Sequence, residues 1–351
     1  MKYRIAVIPG DGIGKEVIPA SLEVLDTLGK KCGFELEYVH YDYSCEYFKK
    51  TGKMMPGDAI DRLSDSDAIF LGAVGYPGVP DHISLWGLLI PIRRSFQQYV
   101  NIRPVRLLKG IESPLRNPGN IDFVIVRENN EGEYSNVGGI IHEGTPYETV
   151  VQESIFTRMG VDRVMNYAFE LASKRNKKLA SATKSNGIIH TMTFWDKRFE
   201  ELGKKYPDIE QTKYHIDILC AKFVQQPQSF DVVVASNLFG DILSDLGPSV
   251  VGGLGIAPGA NINPEKEFPS MFEPVHGSAP DIAGKNIANP IASIWTAAMM
   301  LEHLGENQAA AIVMQAIELT TSQRKVLTLD LGGTATTTEV TKEIITHINK
   351  L

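Results

Sequence analysis

At 351 residues, 43% hydrophobic and 22% charged, the chain is long enough for about two domains and too apolar to be disordered. A formal charge of −7 and a pI near 5.7 argue against a general binder of nucleic acid or anionic membrane, because both surfaces repel a net anion. Cys32, Cys45 and Cys220 are odd in number and lack metal-ligand spacing, which predicts buried thiols in a reducing compartment. With no targeting segment and no spanning stretch free of Gly and Pro, the expectation is a soluble, cytoplasmic protein.

The first strand, Tyr3 to Ile8, runs into the turn PGDGIG and a helix from Lys15 to Leu28. Two nucleotide-binding readings of that turn fail on spacing. A dinucleotide fingerprint needs a third glycine where Lys15 stands, and a P-loop needs Ser or Thr where Glu16 stands. A tight connection between strand and helix is what remains. A strand at Glu35 to His40, a helix from Pro56 to Ser64 and a strand at Ala68 to Leu71 repeat the alternation. This pattern predicts a largely parallel sheet with ligands at the strand ends.

Beyond Leu85, a helix from Pro91 to Tyr99 carries Arg93 and Arg94, a strand from Val100 to Val105 contains Arg103, and Arg127 closes the apolar run IDFVIV. Guanidinium groups at such ends are planar forks suited to carboxylates; solvated surface arginines are the alternative, adopted here for Arg94, Arg106 and Arg116. Next come ENNEGEYS, with Tyr134, and a hairpin of Gly139 to His142 and Tyr147 to Gln152. A two-stranded hairpin is marginal alone, so an arm pairing with a second subunit is expected. Helices at Gly160 to Arg175 and His190 to Lys205 flank a strand at Lys178 to Thr183, whose exit carries Lys184; Tyr214 to Phe223, with Asp217, reads as a helix.

In DVVVASNLFGDILSDLG, a buried strand at Val232 to Val234 is broken by Asn237 and Gly240. A helix then begins at Asp241, placing Asp241 and Asp245 one turn apart on one face. Two like charges so placed repel, and either the helix dipole or a hard divalent cation offsets the cost. Phe272 to Pro290 is a Gly/Pro-rich loop, followed by an apolar helix ASIWTAAMMLEHL, a helix from Gln308 to Thr320 and a closing helix. The early strand–helix pattern resumes after about residue 250. This predicts a discontinuous cofactor-binding domain, 1–99 plus 252–351, enclosing a substrate, metal and dimerisation domain, 100–251, with a hairpin arm near 137–153.

PGDGIG, IRRSFQQYVNIRP, VRENNEGEYS, TKSN, NLFGDILSD and HGSAPDIAGKNIANP occur in the order seen in the isocitrate/isopropylmalate family of β-decarboxylating dehydrogenases. The chain resembles that family over nearly its whole length. The resemblance implies an α/β, isopropylmalate dehydrogenase-like fold: a mixed or parallel sheet sandwiched by helices, two domains with a cleft, and not a true Rossmann fold. It implies that Arg93, Arg103 and Arg127 clamp the substrate carboxylates and that Tyr134 and Lys184 are the catalytic acid–base residues. Asp217, Asp241 and Asp245 match the ligands of Mg²⁺ or Mn²⁺, with Asp217 and Lys184 crossing the interface of a homodimer. His276, Gly277, Ser278, Ala279, Asp281, Ile282 and Asn289 match the segment holding the cofactor's adenosine. A monovalent-cation requirement stays open.

Such parts suit the oxidation and decarboxylation of a small dicarboxylic 2-hydroxy acid, which needs a base, a Lewis acid and a proton donor. Asp281 and Ile282 stand where NADP-dependent members usually have Lys and Tyr, so NAD is the expected cofactor. Gly87 and Leu89 replace the Ser and Asn of isocitrate users, and an apolar wall of Leu88, Leu89 and Ile90 suits an isopropyl group. Trp86 and the run SLWGLLIPIRR, however, look more like the tartrate and D-malate branch. The expected activity is therefore NAD- and metal-dependent oxidative decarboxylation of D-malate and tartrate. Isopropylmalate oxidation is the alternative; a regulatory subunit is disfavoured by the retained acid–base and metal residues.

Overall fold

A computed structural model describes residues 1–351. Its strands are β1 (Lys2–Gly10), β2 (Glu35–His40), β3 (Ala68–Ala73), β4 (Val100–Arg106), β5 (Asp122–Glu128), β6 (Gly138–Ile141), β7 (Thr149–Gln152), β8 (Lys178–Thr183), β9 (Glu210–His215), β10 (Val232–Ala235), β11 (Ala260–Ile262) and β12 (Ser270–Phe272). Ten of them form one mixed sheet in the order β2-β1-β3-β12-β11-β4-β5-β10-β8-β9. Both flanks are parallel, whereas β12, β11, β4 and β5 run antiparallel through the centre. Helices on both faces explain why β3 and β10 are buried along their whole length and read as continuous apolar runs. One hydrophobic core of 62 residues, from Ile5 through Phe123 to Ile348, runs across the sheet. No helix is long and apolar enough to cross a membrane.

The turn PGDGIG is a structural knot. A Cβ at Gly10 would lie 1.9 Å from the Ala73 carbonyl oxygen, and one at Gly12 would lie 1.9 Å from that of Ser278. Glycine is required because backbone approaches backbone there. Asp11, fully buried, accepts hydrogen bonds from the amides of Cys45 (3.0 Å), Glu46 (3.3 Å) and Gly75 (3.2 Å). The turn therefore holds the exit of β3 in place, which accounts for a glycine pattern that fits neither nucleotide fingerprint.

Several local expectations are corrected. Tyr214 belongs to the edge strand β9, and the helix that carries Asp217 starts at Ile216. β11 and β12, three residues each, are too short to show a period. A helix at Cys45–Thr51, capped by the Ser44 side chain, was not expected. The arginine-bearing helix spans only Ile90–Ser95 and is entered through one turn of π-helix, Leu85–Leu89. The helix carrying Asp241 begins at Asn237, not at Asp241, and so includes Gly240. A Cβ at Gly240 would come within 2.5 Å of Arg127 Cγ, so the glycine lets the helix lie against that arginine.

Candidate active site

Side chains alternate along a strand, so Asn101 and Arg103 share one face of β4, with Arg127 on β5 directly opposite Asn101. Arg93, from the short helix, joins them, and the three arginines are 3–7% exposed. Glu273 binds the cluster from beneath. Its Oε1 accepts from Arg93 Nη2 at 2.5 Å and from Asn261 Nδ2 at 2.9 Å, and lies 3.9 Å from Arg103 Nη2. Arg103 Nε donates to Asn101 Oδ1 at 2.8 Å, while Asn101 and Asn129 both donate to Asn261 Oδ1. Burial alone would raise the Glu273 carboxyl, but Arg93 and Arg103 outweigh it and hold the group below its usual range. Burial pushes Arg103 down to about 10.

These contacts do not exhaust the guanidinium donors, and Arg93 Nε is buried without a partner. The donors face a cleft of about 220 Å³, also lined by Tyr134, Asp241, His276, Leu85 and Leu89. Unspent guanidinium donors beside a cleft match carboxylate oxygens. The apolar wall is Leu85 and Leu89; Leu88 and Ile90, expected beside Leu89, are buried outside it. A π-turn adds a residue to the helical repeat, which re-aims the side chains around it. Arg94, expected at the surface, donates to the Tyr134 carbonyl at 2.9 Å and lies over the Trp86 ring at 5.0 Å.

Arg127 forks onto Asn237 Oδ1 and pairs with Asp241. The Tyr134 hydroxyl donates to Asp241 Oδ2 at 2.6 Å; burial and this bond push the phenol up to about 12. Burial works against ionised Asp241, but Arg127 and Tyr134 bring its carboxyl below the usual range. Asp245 is raised, first by burial and then by Asp241. Two carboxylates on one face, one of them without a cationic partner, form a donor set that fits a hard divalent ion.

Lys184 and Asp217 lie elsewhere, paired at 3.0 Å with side chains 31% and 62% exposed. Within one chain no three acidic, histidine or cysteine side chains gather as a metal site. The helices Ile216–Gln225 and Asn237–Val251 pack together and expose Ile218, Val224, Leu238 and Ile242. The hairpin β6–β7 is likewise exposed along both strands, displaying Ile140, Ile141, Val150 and Val151.

The segment from His276 to Asn289 is held by the first helix and its turn. The Ser278 carbonyl accepts from the Ile13 amide at 2.8 Å, and Glu16 accepts from the amides of Gly284 (2.5 Å) and Asn286 (2.9 Å). Gly277 lines the cleft with His276, and Ala279 adopts a φ of 38°. The His276 Nε2 is buried without a partner, an unspent polar group at the edge of the cleft. Ile282 packs near Ile13 and Val17, while Asp281 is exposed. Both ends of the Asn289 amide are used internally, on Ile291 N and Asp330.

Sequence reading passed over Glu273, Asn261, Asn101, Glu16 and Glu133. Glu273 left one trace: a charge directly after the buried strand SMF.

The family model described as isocitrate/isopropylmalate dehydrogenase matches residues 4–346. The chain is 58% identical over 351 residues to a D-malate dehydrogenase [decarboxylating] of Escherichia coli (strain K12), covering 97% of each. It is 58% identical over 349 residues to a tartrate dehydrogenase/decarboxylase of Pseudomonas putida, covering 96% of this chain and 95% of the relative. The crystal structure of isocitrate dehydrogenase from Methylococcus capsulatus superimposes with a TM-score of 0.89 at 33% identity, over 99% of both chains.

Proposed function

The chain belongs to the isocitrate/isopropylmalate dehydrogenase family, and from that premise we propose that it oxidatively decarboxylates D-malate, to pyruvate and CO₂, and tartrate. NAD and one Mg²⁺ or Mn²⁺ are the proposed cofactors. The observation that carries this reading is the set of buried guanidiniums with unspent donors, facing Leu85 and Leu89 on one side and the Tyr134–Asp241 pair on the other. Arg93, Arg103 and Arg127 hold the two carboxylates, fixing C2 and C3 of the acid. The leucine wall offers no hydrogen bond to a third carboxylate, which disfavours isocitrate.

Asp241 and Asp245 would hold the divalent ion, which would supply Lewis acidity, and the bound nicotinamide would supply the hydride acceptor. Lys184 accepts the hydroxyl proton. Tyr134, its phenol held above the ordinary range by burial and by Asp241, delivers its proton to C3 once CO₂ has left. Asp217 and Lys184 serve the cleft of the opposite protomer, a homodimer being supported by the exposed apolar helix face and the solvent-facing hairpin. In this reading residues 1–99 with 252–351 form the cofactor half, and 100–251 form the substrate, metal and dimerisation half. His276 to Ile282 receive the adenosine, Asn289 supports the far end of that segment through Asp330 and Ile291, and Asp281 accepts from the ribose hydroxyl and repels a 2′-phosphate.

Steady-state rates with D-malate, tartrate, isopropylmalate and isocitrate test the proposal, each with NAD or NADP, with Mn²⁺ and after chelation. Highest kcat/KM is expected for D-malate with NAD, abolished by chelator. A methylene or two changes discrimination by only about 1–3 kcal/mol, so some isopropylmalate turnover is compatible. A preference for isopropylmalate, or equal efficiency with NADP, would overturn the assignment.

A further inference from the structure

We propose that Glu133 is the positioning residue that sets Tyr134 against Asp241, an inference that rests on the proton-donor reading of Tyr134. Ser236 stands at the N-cap of the Asn237–Val251 helix, where serine ordinarily accepts from the helix's own free amides, yet its side chain makes no such bond. Its hydroxyl donates instead to Glu133 Oε1 at 2.8 Å, and Glu133 Oε2 accepts from the Leu238 amide at 3.1 Å. A carboxylate from a distant loop thus caps this helix, satisfying a free N–H and meeting the positive end of the dipole. Three other helices are capped by their own residues, Ser44, Thr157 and Thr336.

The consequence follows from adjacency. Tyr134 is the next residue after Glu133, and its hydroxyl reaches Asp241 Oδ2, less than one helical turn beyond Leu238. One short piece of backbone therefore grips one helix at two heights, and a slide or tilt of the helix has to disturb both bonds. Asn237 adds a third tie, its Nδ2 donating to the Glu131 carbonyl at 3.1 Å. Without the Glu133 tie, the helix keeps the Asn237–Glu131 bond at its first residue, and the 2.6 Å bond is the one direct link between the Tyr134 side chain and the helix. Tyr134 touches the reacting atoms in this reading; Glu133 acts only through it and through the carboxylates of the helix.

The test compares Glu133→Ala, Glu133→Gln, Ser236→Ala and Tyr134→Phe in the full chain. Readouts are kcat and KM for D-malate with NAD and Mn²⁺, and Mn²⁺ affinity by electron paramagnetic resonance without substrate. Glu133→Ala is expected to lower kcat about 10- to 100-fold with KM changed less than about threefold, the pattern of an interaction needed in the transition state. Glu133→Gln, whose amide oxygen still accepts from Leu238, restores most of it. Mn²⁺ binding weakens in Glu133→Ala, and a smaller loss in Ser236→Ala covers the case in which the alanine variant fails to fold. In a Tyr134→Phe background, Glu133→Ala costs little further, because coupled residues are non-additive. Additive losses, or Mn²⁺ affinity unchanged in both Glu133→Ala and Ser236→Ala, would overturn the proposal. Full kcat in Tyr134→Phe alone would instead remove the proton-donor reading beneath it.

Discussion

Three guanidiniums in one buried cluster repel one another, and a carboxylate folded in beside Arg93 and Arg103 offsets that repulsion. Glu273 is that group, and it reaches Arg93 and Asn261 together. Removing one partner of a buried pair leaves the other uncompensated, so Glu273→Ala is expected to cost about 3–5 kcal/mol in urea unfolding and to raise the KM for D-malate. Unchanged stability would show that water replaces the carboxylate. His303 is a second residue whose cost is set by surroundings: burial, then Lys266, lowers its imidazole from 6.5 to about 4, beside the Phe272 ring. The folded state therefore keeps it neutral while the unfolded chain takes up a proton. Its contribution is complete above about pH 6.5 and is lost as pH falls toward about 4, on the order of 1–3 kcal/mol. Stability measured from pH 7 to 4 is expected to fall less steeply in His303→Gln than in the wild type.

At the scale of elements, the short turn PGDGIG and the loop from His276 to Asn289 behave as one piece. Gly12 lets the turn press against the Ser278 carbonyl, and Glu16, four residues on, pins the loop at Gly284 and Asn286. Gly12, at a φ of 53°, has no room for a side chain. Gly12→Ala is therefore expected to displace the loop, raising the KM for NAD by about tenfold or more while the KM for D-malate moves little, since the arginine cluster is untouched. Equal rises in both would mean that the turn supports the whole cleft. The π-turn Leu85–Leu89 is a second such device, aiming two leucines at the substrate side.

Over the whole molecule, one chain carries Asp241 in the cleft and Asp245 one turn further along the same helix, but leaves Lys184 and Asp217 paired near an exposed apolar surface. If two protomers complete each other, Asp217→Asn and Asp241→Asn are each inactive alone. Refolded together at equal concentration, they are expected to recover about a quarter of wild-type activity. Half of the dimers are then hybrids, and each hybrid has one intact site. No recovery on mixing, with dimers confirmed by light scattering, would place the complete site within one protomer.

Strand–helix alternation, the glycine turn and the arginine-bearing segments were legible in the sequence because period, turn chemistry and motif order are local properties. So was the family, since its motifs are contiguous runs such as NLFGDILSD. The short β11 and β12, the edge strand β9 and the start of the Asn237–Val251 helix were not, because pairing partners and Arg127 decide them. Asp11, Glu16, Glu133 and Glu273 also read in sequence as ordinary acids. Each owes its role to amides or guanidiniums far along the chain, a pairing that packing alone creates. Residue identity determined which chemistry is available to this protein; tertiary structure decided which charges meet, because the energy of a charge depends on what surrounds it after folding.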